Sequence, residues 1–201
     1  MAEIYDQDHV GVKVIPNFLP AELRVRLLEY FNDQRFHRIP LKYGEVEQDM
    51  LMCRLSESDL QTSPISELMS KYVEFRNGPE LSGRIAPVDL SKLYVVSNLY
   101  PAGSRGITPH RDLTTCENLV AVYVLYGDAP FYTADDKQCN GEIAHPAPVN
   151  SLILMRAARC PDEQKMRPVH YIKPLANERC VIVFREEPVI SQVWSRGHAA
   201  P

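Results

Sequence analysis

From Lys92 onward the chain is a succession of short β-branched and aromatic runs, and that density of strand signals restricts it to an architecture built on sheets. The runs are Lys92 to Tyr100, Leu119 to Tyr126, Ser151 to Arg156, Pro168 to Ile172 and Cys180 to Arg185. Pro101-Ala102-Gly103 follows the first run and supplies one fixed and one permissive φ, the requirement of a tight reversal. The first third reads differently. Val12-Lys13-Val14-Ile15 alternates like a strand, and Pro20 opens a helix whose Leu23, Leu27, Leu28 and Phe31 share a face. Met50 to Leu55 reads as a further strand, and Ile65, Leu68, Met69, Tyr72 and Val73 recur at helical spacing. Helices followed by strands define an α+β chain with an all-β core. A length of 201 residues suits one sizeable core. The expectation is a single domain over 1–201, with support over 1–91, the β core over 92–187 and a tail over 188–201. Ala144 to Pro148 is an irregular loop.

Within the β region, His110-Arg111-Asp112 places an imidazole and a carboxylate at i and i+2. On a strand such side chains leave the same face, so one extended segment presents both to one ion. Val169 to Pro174 and Arg179 to Arg185 read as two neighbouring strands joined by a short loop with Pro174 and Asn177, which brings His170 beside Arg179. Two imidazoles and one carboxylate with open coordination positions describe a non-haem iron(II) oxygenase site, and a cation beyond them describes the anchor of an acidic co-substrate. An Arg leading into Cys180-Val181-Ile182-Val183-Phe184 requires an anionic partner if it points into the core.

These residues resemble the iron(II)- and 2-oxoglutarate-dependent dioxygenases, over roughly residues 93–186. The resemblance implies a double-stranded β-helix, or jelly roll, of cupin-like form with buttressing N-terminal helices. It implies His110, Asp112 and His170 as iron ligands and Arg179 as the anchor of the far carboxylate of 2-oxoglutarate, with Tyr100 adding a hydroxyl. Tyr100 to Gly103 before His110, and His170 followed by Pro174 and Arg179, are most similar to the prolyl-hydroxylase type. Asn98-Leu99-Tyr100 and the pair Arg179/Arg185 also resemble the AlkB-type nucleic-acid dealkylases, in which such residues hold the co-substrate. The activity implied is hydroxylation, desaturation or cyclisation of a small molecule, amino acid or peptide, with O2 consumed, succinate and CO2 released, and ascorbate as a reductant. Asp112 stands where the family's halogenases have a small residue, which disfavours chlorination. Arg54, Arg156, Met50, Met52 and Tyr132 flank the expected mouth as candidate substrate contacts. Tyr123 and Tyr126 fall on opposite faces of their strand, so at most one of them looks inward, and the sequence does not choose between them.

Composition narrows the partners. A net charge of -4, and the acidic stretch Glu45, Glu47 and Asp49, argue against a nucleic-acid substrate, which calls for clustered Lys and Arg. A dealkylase and a catalytically silent jelly-roll binding module are the alternative readings. The 5 cysteines are scattered without a Cys-x-x-Cys, the start Met1 to Asp6 has no apolar run, and nothing approaches a membrane span. A soluble protein of a reducing cytoplasm is expected. His9, His37, His145 and His198 lack ligand spacing, and Trp194 suggests packing or a partner contact. Oligomeric state has no signature in the sequence.

Overall fold

The computed structural model describes residues 11–79, 81, 85–158 and 167–186. Among them the strands are β1 (Val12–Ile15), β2 (His37–Arg38), β3 (Lys42–Tyr43), β4 (Val46–Asp49), β5 (Leu51–Arg54), β6 (Leu93–Tyr100), β7 (Gly106–His110), β8 (Glu117–Tyr126), β9 (Phe131–Ala134), β10 (Ile143–His145), β11 (Leu152–Arg156), β12 (Val169–Ile172) and β13 (Arg179–Glu186). The α-helices are α1 (Ala21–Asn32), α2 (Glu57–Thr62) and α3 (Pro64–Arg76). None of these helices is long and apolar enough to cross a membrane. The expected tail over 188–201 lies outside the described residues.

A seven-stranded sheet in the order β1-β11-β8-β13-β6-β5-β2 faces a six-stranded sheet in the order β10-β9-β12-β7-β4-β3. Together they form the double-stranded β-helix, with helices as its support. Every pairing is antiparallel. Strands from the first third complete both sheets: β1 pairs with β11, β5 with β6 and β4 with β7. The β structure therefore draws on both sides of residue 92.

The larger sheet is buried on both faces, which is why its strands read as continuous apolar runs. Leu119, Ala121, Tyr123, Leu152, Leu154, Ile182 and Phe184 turn toward the helices and pack with Leu23, Leu27 and Phe31 of α1 and Ile65, Leu68 and Tyr72 of α3. Val96, Val120, Val122, Ile153, Val181 and Val183 turn inward and meet Phe131 and Ile172 of the smaller sheet. Each fully buried Leu or Ile contributes about 1.5–3 kcal/mol relative to exposure. The helix ends follow local chemistry: Ser56 and Asp59 form a capping box before α2, and Ser63 caps α3 ahead of Pro64 at its first position. One polar cluster crosses the helix-side layer. Glu186 accepts from Arg76 Nε at 2.8 Å, Arg76 Nη2 at 3.1 Å, Tyr72 Oη at 2.9 Å and Asn118 Nδ2 at 2.7 Å.

Three expectations change here. Strands β12 and β13 are not neighbours: β12 lies between β9 and β7 in one sheet, β13 between β8 and β6 in the other. The loop between them, tied by the Leu175 N–H to Ser104 and the Gly103 N–H to Leu175, crosses from sheet to sheet where a hairpin was expected. Second, a register shift sets Cys180 opposite Tyr126 but Val181 opposite Val124, so Leu125 is the extra residue of a bulge. That bulge puts both Tyr123 and Tyr126 on the helix side. Third, β7 stops at His110, and Asp112 lies beyond its end.

Candidate active site

The antiparallel pairing of β7 with β12 sets His110 directly opposite His170, with ring centroids 4.3 Å apart. Gly106, at φ +76°, makes that pairing accessible, because a Cβ there would overlap the Ile172 carbonyl oxygen. Each ring is fixed by the carbonyl two residues earlier. Nδ1 of His110 bonds the Thr108 carbonyl at 2.8 Å, and Nδ1 of His170 bonds the Pro168 carbonyl at 3.3 Å. A carbonyl only accepts, so both Nδ1 atoms carry the proton and both Nε2 lone pairs are left for a ligand. Asp112 joins them from the segment after the strand, not by strand alternation. Its carboxylate is divided: Oδ2 stands 3.6 Å from His170 Nε2, and Oδ1 accepts from Arg185 Nε at 3.3 Å. One ligand atom from each of His110, Asp112 and His170 lies within 4.8 Å of the other two.

The protonation states suit a divalent cation. Burial, reinforced by the neighbouring His170, pushes His110 down to about 3. His170 is lowered as well, chiefly by burial. Burial alone raises the Asp112 carboxyl, but Arg185 and the two imidazoles outweigh it and hold the group at about 2. Neutral imidazoles and an ionised carboxylate are the forms that bind metal.

Behind the ligands, alternation along β13 sends Arg179, Val181, Val183 and Arg185 into one pocket, which Asn98 and Tyr100 of β6 also line. Arg179 is the cross-strand partner of Tyr100. Only 1% of Arg179 is exposed. Its Nη1 donates to the Ala129 carbonyl at 3.0 Å, and its Nε has no hydrogen-bond partner among the described residues. Glu178, the acid next to it in sequence, instead accepts from Tyr126 at 2.8 Å. Burial works against the Arg179 charge, yet a guanidinium stays protonated in proteins. Tyr100 and Asp128 lie near enough to favour the charge, but the guanidinium's hydrogen bond among the described residues goes to a neutral carbonyl, which leaves donors for an anion. The Asn98 Oδ1 is likewise buried without a partner, and β6 is an interior strand, so Asn98 serves no sheet edge. Burial raises the Tyr100 phenol, which stays a neutral hydroxyl. Two neutral nitrogens, one carboxylate oxygen and a buried guanidinium whose Nε has no partner among the described residues fit iron(II) and 2-oxoglutarate.

Other sequence candidates fall elsewhere. Arg54 is exposed and does not line the pocket. Arg156 pairs with Leu119, so it belongs to the helix-facing side of β11, while its neighbour Met155 takes the inward position. Met50 does line the pocket. Tyr132 instead stacks on Tyr171 with centroids 5.3 Å apart, beneath Lys173. His37 is exposed, His145 is half-buried on β10 and meets Thr133 at 2.8 Å, and His9, His198 and Trp194 lie outside the described residues. Two contributors were missed. Phe131 stacks on His170 at 5.5 Å and 22°, and its strand was visible as the aromatic and β-branched run Phe131-Tyr132-Thr133. Arg167 donates to the Asp112 backbone carbonyl, and no local signal marks it.

No family model matches the chain, and no curated protein does. Solved structures do. A prolyl hydroxylase from Trichoplax adhaerens, in complex with a peptide fragment of the hypoxia inducible factor oxygen degradation domain, is 15% identical with a TM-score of 0.66, over 96% of this chain and 90% of that one. A prolyl-4-hydroxylase from Pseudomonas putida is 16% identical with a TM-score of 0.64, over 92% and 97%. A 2OG-Fe(II) oxygenase family oxidoreductase from Burkholderia pseudomallei is 13% identical with a TM-score of 0.61, over 91% and 87%. The chain thus has the fold of the 2OG-Fe(II) oxygenases along nearly its whole length.

Proposed function

We propose that this chain is an iron(II)- and 2-oxoglutarate-dependent oxygenase acting on a small molecule, an amino acid or a peptide. The observation that carries the reading is the convergence of His110, Asp112 and His170 ligand atoms within 4.8 Å, in the pocket that also holds the partnerless Nε of buried Arg179. When bound, iron(II) and 2-oxoglutarate supply the oxidising chemistry, in which decarboxylation to succinate is coupled to oxidation of a substrate C–H bond by O2.

The protein's part is to bind, orient and exclude. His110 and His170 present Nε2 without displacing a proton, because burial keeps both rings neutral. Arg185 occupies Asp112 Oδ1, which directs Oδ2 toward the imidazoles and restricts the carboxylate to one ligand oxygen. Arg179 offers a fork to the far carboxylate of the co-substrate, and Tyr100 opposite it adds a hydroxyl. Val120, Val122, Val181 and Val183 form apolar wall that keeps water from the reacting centre.

A peptide substrate draws support from the similar Trichoplax adhaerens enzyme, which is seen with a peptide. The AlkB-type alternative draws support from Asn98 and Arg185 in the pocket. It is disfavoured by the acidic β3–β4 hairpin, whose Glu45 and Asp49 engage Lys137 and Arg38. The test is succinate formation from 2-oxoglutarate with iron(II) and ascorbate, together with the visible charge-transfer band of the anaerobic iron chelate. Arg179→Ala is expected to abolish the band at ordinary co-substrate concentration. A wild type with neither band nor iron-dependent succinate overturns the reading, and salt-sensitive capture of single-stranded oligonucleotides would favour the dealkylase.

A further inference from the structure

The two imidazoles of the ligand cluster are not held equally. Nδ1 of His110 donates to its carbonyl at 2.8 Å, whereas Nδ1 of His170 reaches the Pro168 carbonyl at 3.3 Å, near the limit of a hydrogen bond. The far end of the His170 ring gains no hydrogen bond from Asp112, whose Oδ2 lies 3.6 Å from an Nε2 that carries no proton. An imidazole tied weakly at one nitrogen can turn about its Cβ–Cγ bond, a soft torsion, and such a turn carries Nε2 out of the cluster.

What opposes the turn is packing on the faces of the ring. The order β9-β12-β7 sets the strand of His170 between two others. From β7 the His110 ring comes to 4.3 Å at a tilt of 53°, and from β9 the Phe131 ring comes to 5.5 Å at 22°, nearly parallel. His110 is itself a candidate ligand, and Phe131 is not. Phe131 is buried, lines the pocket and has support behind it. His145 of β10 is its cross-strand partner, with ring centroids 6.4 Å apart, and His145 Nε2 is tied to Thr133 Oγ1 at 2.8 Å. Thr133 pairs across the sheet with His170. The Phe131 ring thus stands between the imidazole of the edge strand and that of the ligand, at a place set by strand pairing.

We propose that Phe131 is a positioning residue for the metal centre: its ring, backed by His145, keeps the His170 imidazole turned toward His110 and Asp112 before iron arrives. The inference rests on the oxygenase reading, because it takes His170 as a ligand. A flat ring nearly parallel to the imidazole resists its rotation, where an aliphatic side chain offers no such plane. Orientation before binding spares the metal the cost of ordering its own ligand, which is the part played by groups behind the ligands of a metal site.

The test uses the full chain, first without metal and then with iron(II) alone under anaerobic conditions. In the metal-free wild type at neutral pH, imidazole 15N spectra are expected to show His170 in one tautomer, protonated on Nδ1, with nuclear Overhauser contacts to the Phe131 ring. In Phe131→Leu the His170 signals should average or broaden while those of His110 stay, and iron(II) affinity should fall about 10–100-fold. Phe131→Tyr keeps the plane and should stay close to wild type in both measurements. Leu154→Ala, a buried truncation on the helix side of the larger sheet, controls for destabilisation and should leave iron(II) affinity unchanged. Averaged His170 tautomers in the metal-free wild type overturn the inference, whether or not the Leu variant folds. A folded Phe131→Leu that loses no more iron(II) affinity than Leu154→Ala overturns it too, while sparing the oxygenase reading. A wild type that binds no iron(II) removes both readings together.

Discussion

His110 and His170 stand opposite one another across the β7/β12 ladder, and each is held through Nδ1 by the carbonyl two residues before it. Both Nε2 atoms are thereby aimed by backbone that the sheet itself fixes, so the ligand geometry belongs to the fold and does not wait for a metal.

Acid should therefore destabilise the metal-free protein from near neutrality. His110 is held at about 3 and His170 is also lowered, while in the unfolded chain both sit near 6.5. Below about pH 6.5 the unfolded state takes up protons that the folded state refuses, so stability falls with pH, by up to about 1.4 kcal/mol per unit for each such group. Asp112, held at about 2 against its ordinary 3.8, adds a loss of the same sign as pH falls between those values. Urea unfolding should show a lower midpoint at pH 5 than at pH 7.5, and His110→Gln should flatten that dependence. A midpoint unchanged between these pH values contradicts the burial argument.

Arg179→Met should separate stability from function. The guanidinium is buried with a carbonyl as its visible partner, and a methionine of similar length removes that desolvated charge. The variant is expected to unfold at a midpoint equal to or above wild type, by about 1–2 kcal/mol. Its affinity for 2-oxoglutarate should drop by about 100-fold or more, since losing one partner of a buried charge pair costs roughly 2–5 kcal/mol. Calorimetric titration and thermal unfolding of the same sample check both.

The candidate ligand set was legible through the resemblance more than through spacing: His110 and Asp112 stand two residues apart, His170 is distant in sequence, and the structure brings the three together with Asp112 arriving from beyond the strand. The apolar runs likewise gave β6, β8, β11, β12 and β13 to within a residue or two. What was not legible depends on pairing. Whether β12 lies beside β13 or across from it is decided by the jelly-roll crossing near Leu175, a long-range event with no signal in the loop. Strand alternation set Tyr123 and Tyr126 on opposite faces, which one bulge at Leu125 undoes, and it left Arg156 unresolved because β11 is buried on both faces. The short strands β2, β3 and β10 escaped notice because they are largely exposed and carry little apolar patterning.

The cluster on Glu186 should prove structural and independent of the chemistry. Arg76 and Glu186 are almost fully buried, and the carboxylate accepts four hydrogen bonds. Arg76→Met leaves that carboxylate without its cation and is expected to cost about 3–5 kcal/mol. Pairing it with Glu186→Leu should recover much of the loss. The double variant should keep its 2-oxoglutarate affinity, because Glu186 faces the helices while Arg185, one residue earlier, faces the pocket. Denaturation of the single and double variants, with the chelate band as the functional readout, decides this.

Gly127 and Gly103 provide the sharpest contrast between conformational strain and site geometry. Both have positive φ, +86° and +77°, so alanine carries a similar backbone penalty of about 1–2 kcal/mol at either position. Around Gly103 a Cβ meets nothing within 4 Å, and Gly103→Ala should cost only that penalty. At Gly127 a Cβ would overlap the Glu178 carbonyl oxygen and stand 2.8 Å from Arg179 Cβ. The backbone of β13 must then move at the residue that anchors the co-substrate. Gly127→Ala is therefore expected to lower 2-oxoglutarate affinity at least tenfold beyond Gly103→Ala, as well as destabilise the fold further. Equal co-substrate affinity in the two variants would mean that the turn after β8 does not position Arg179.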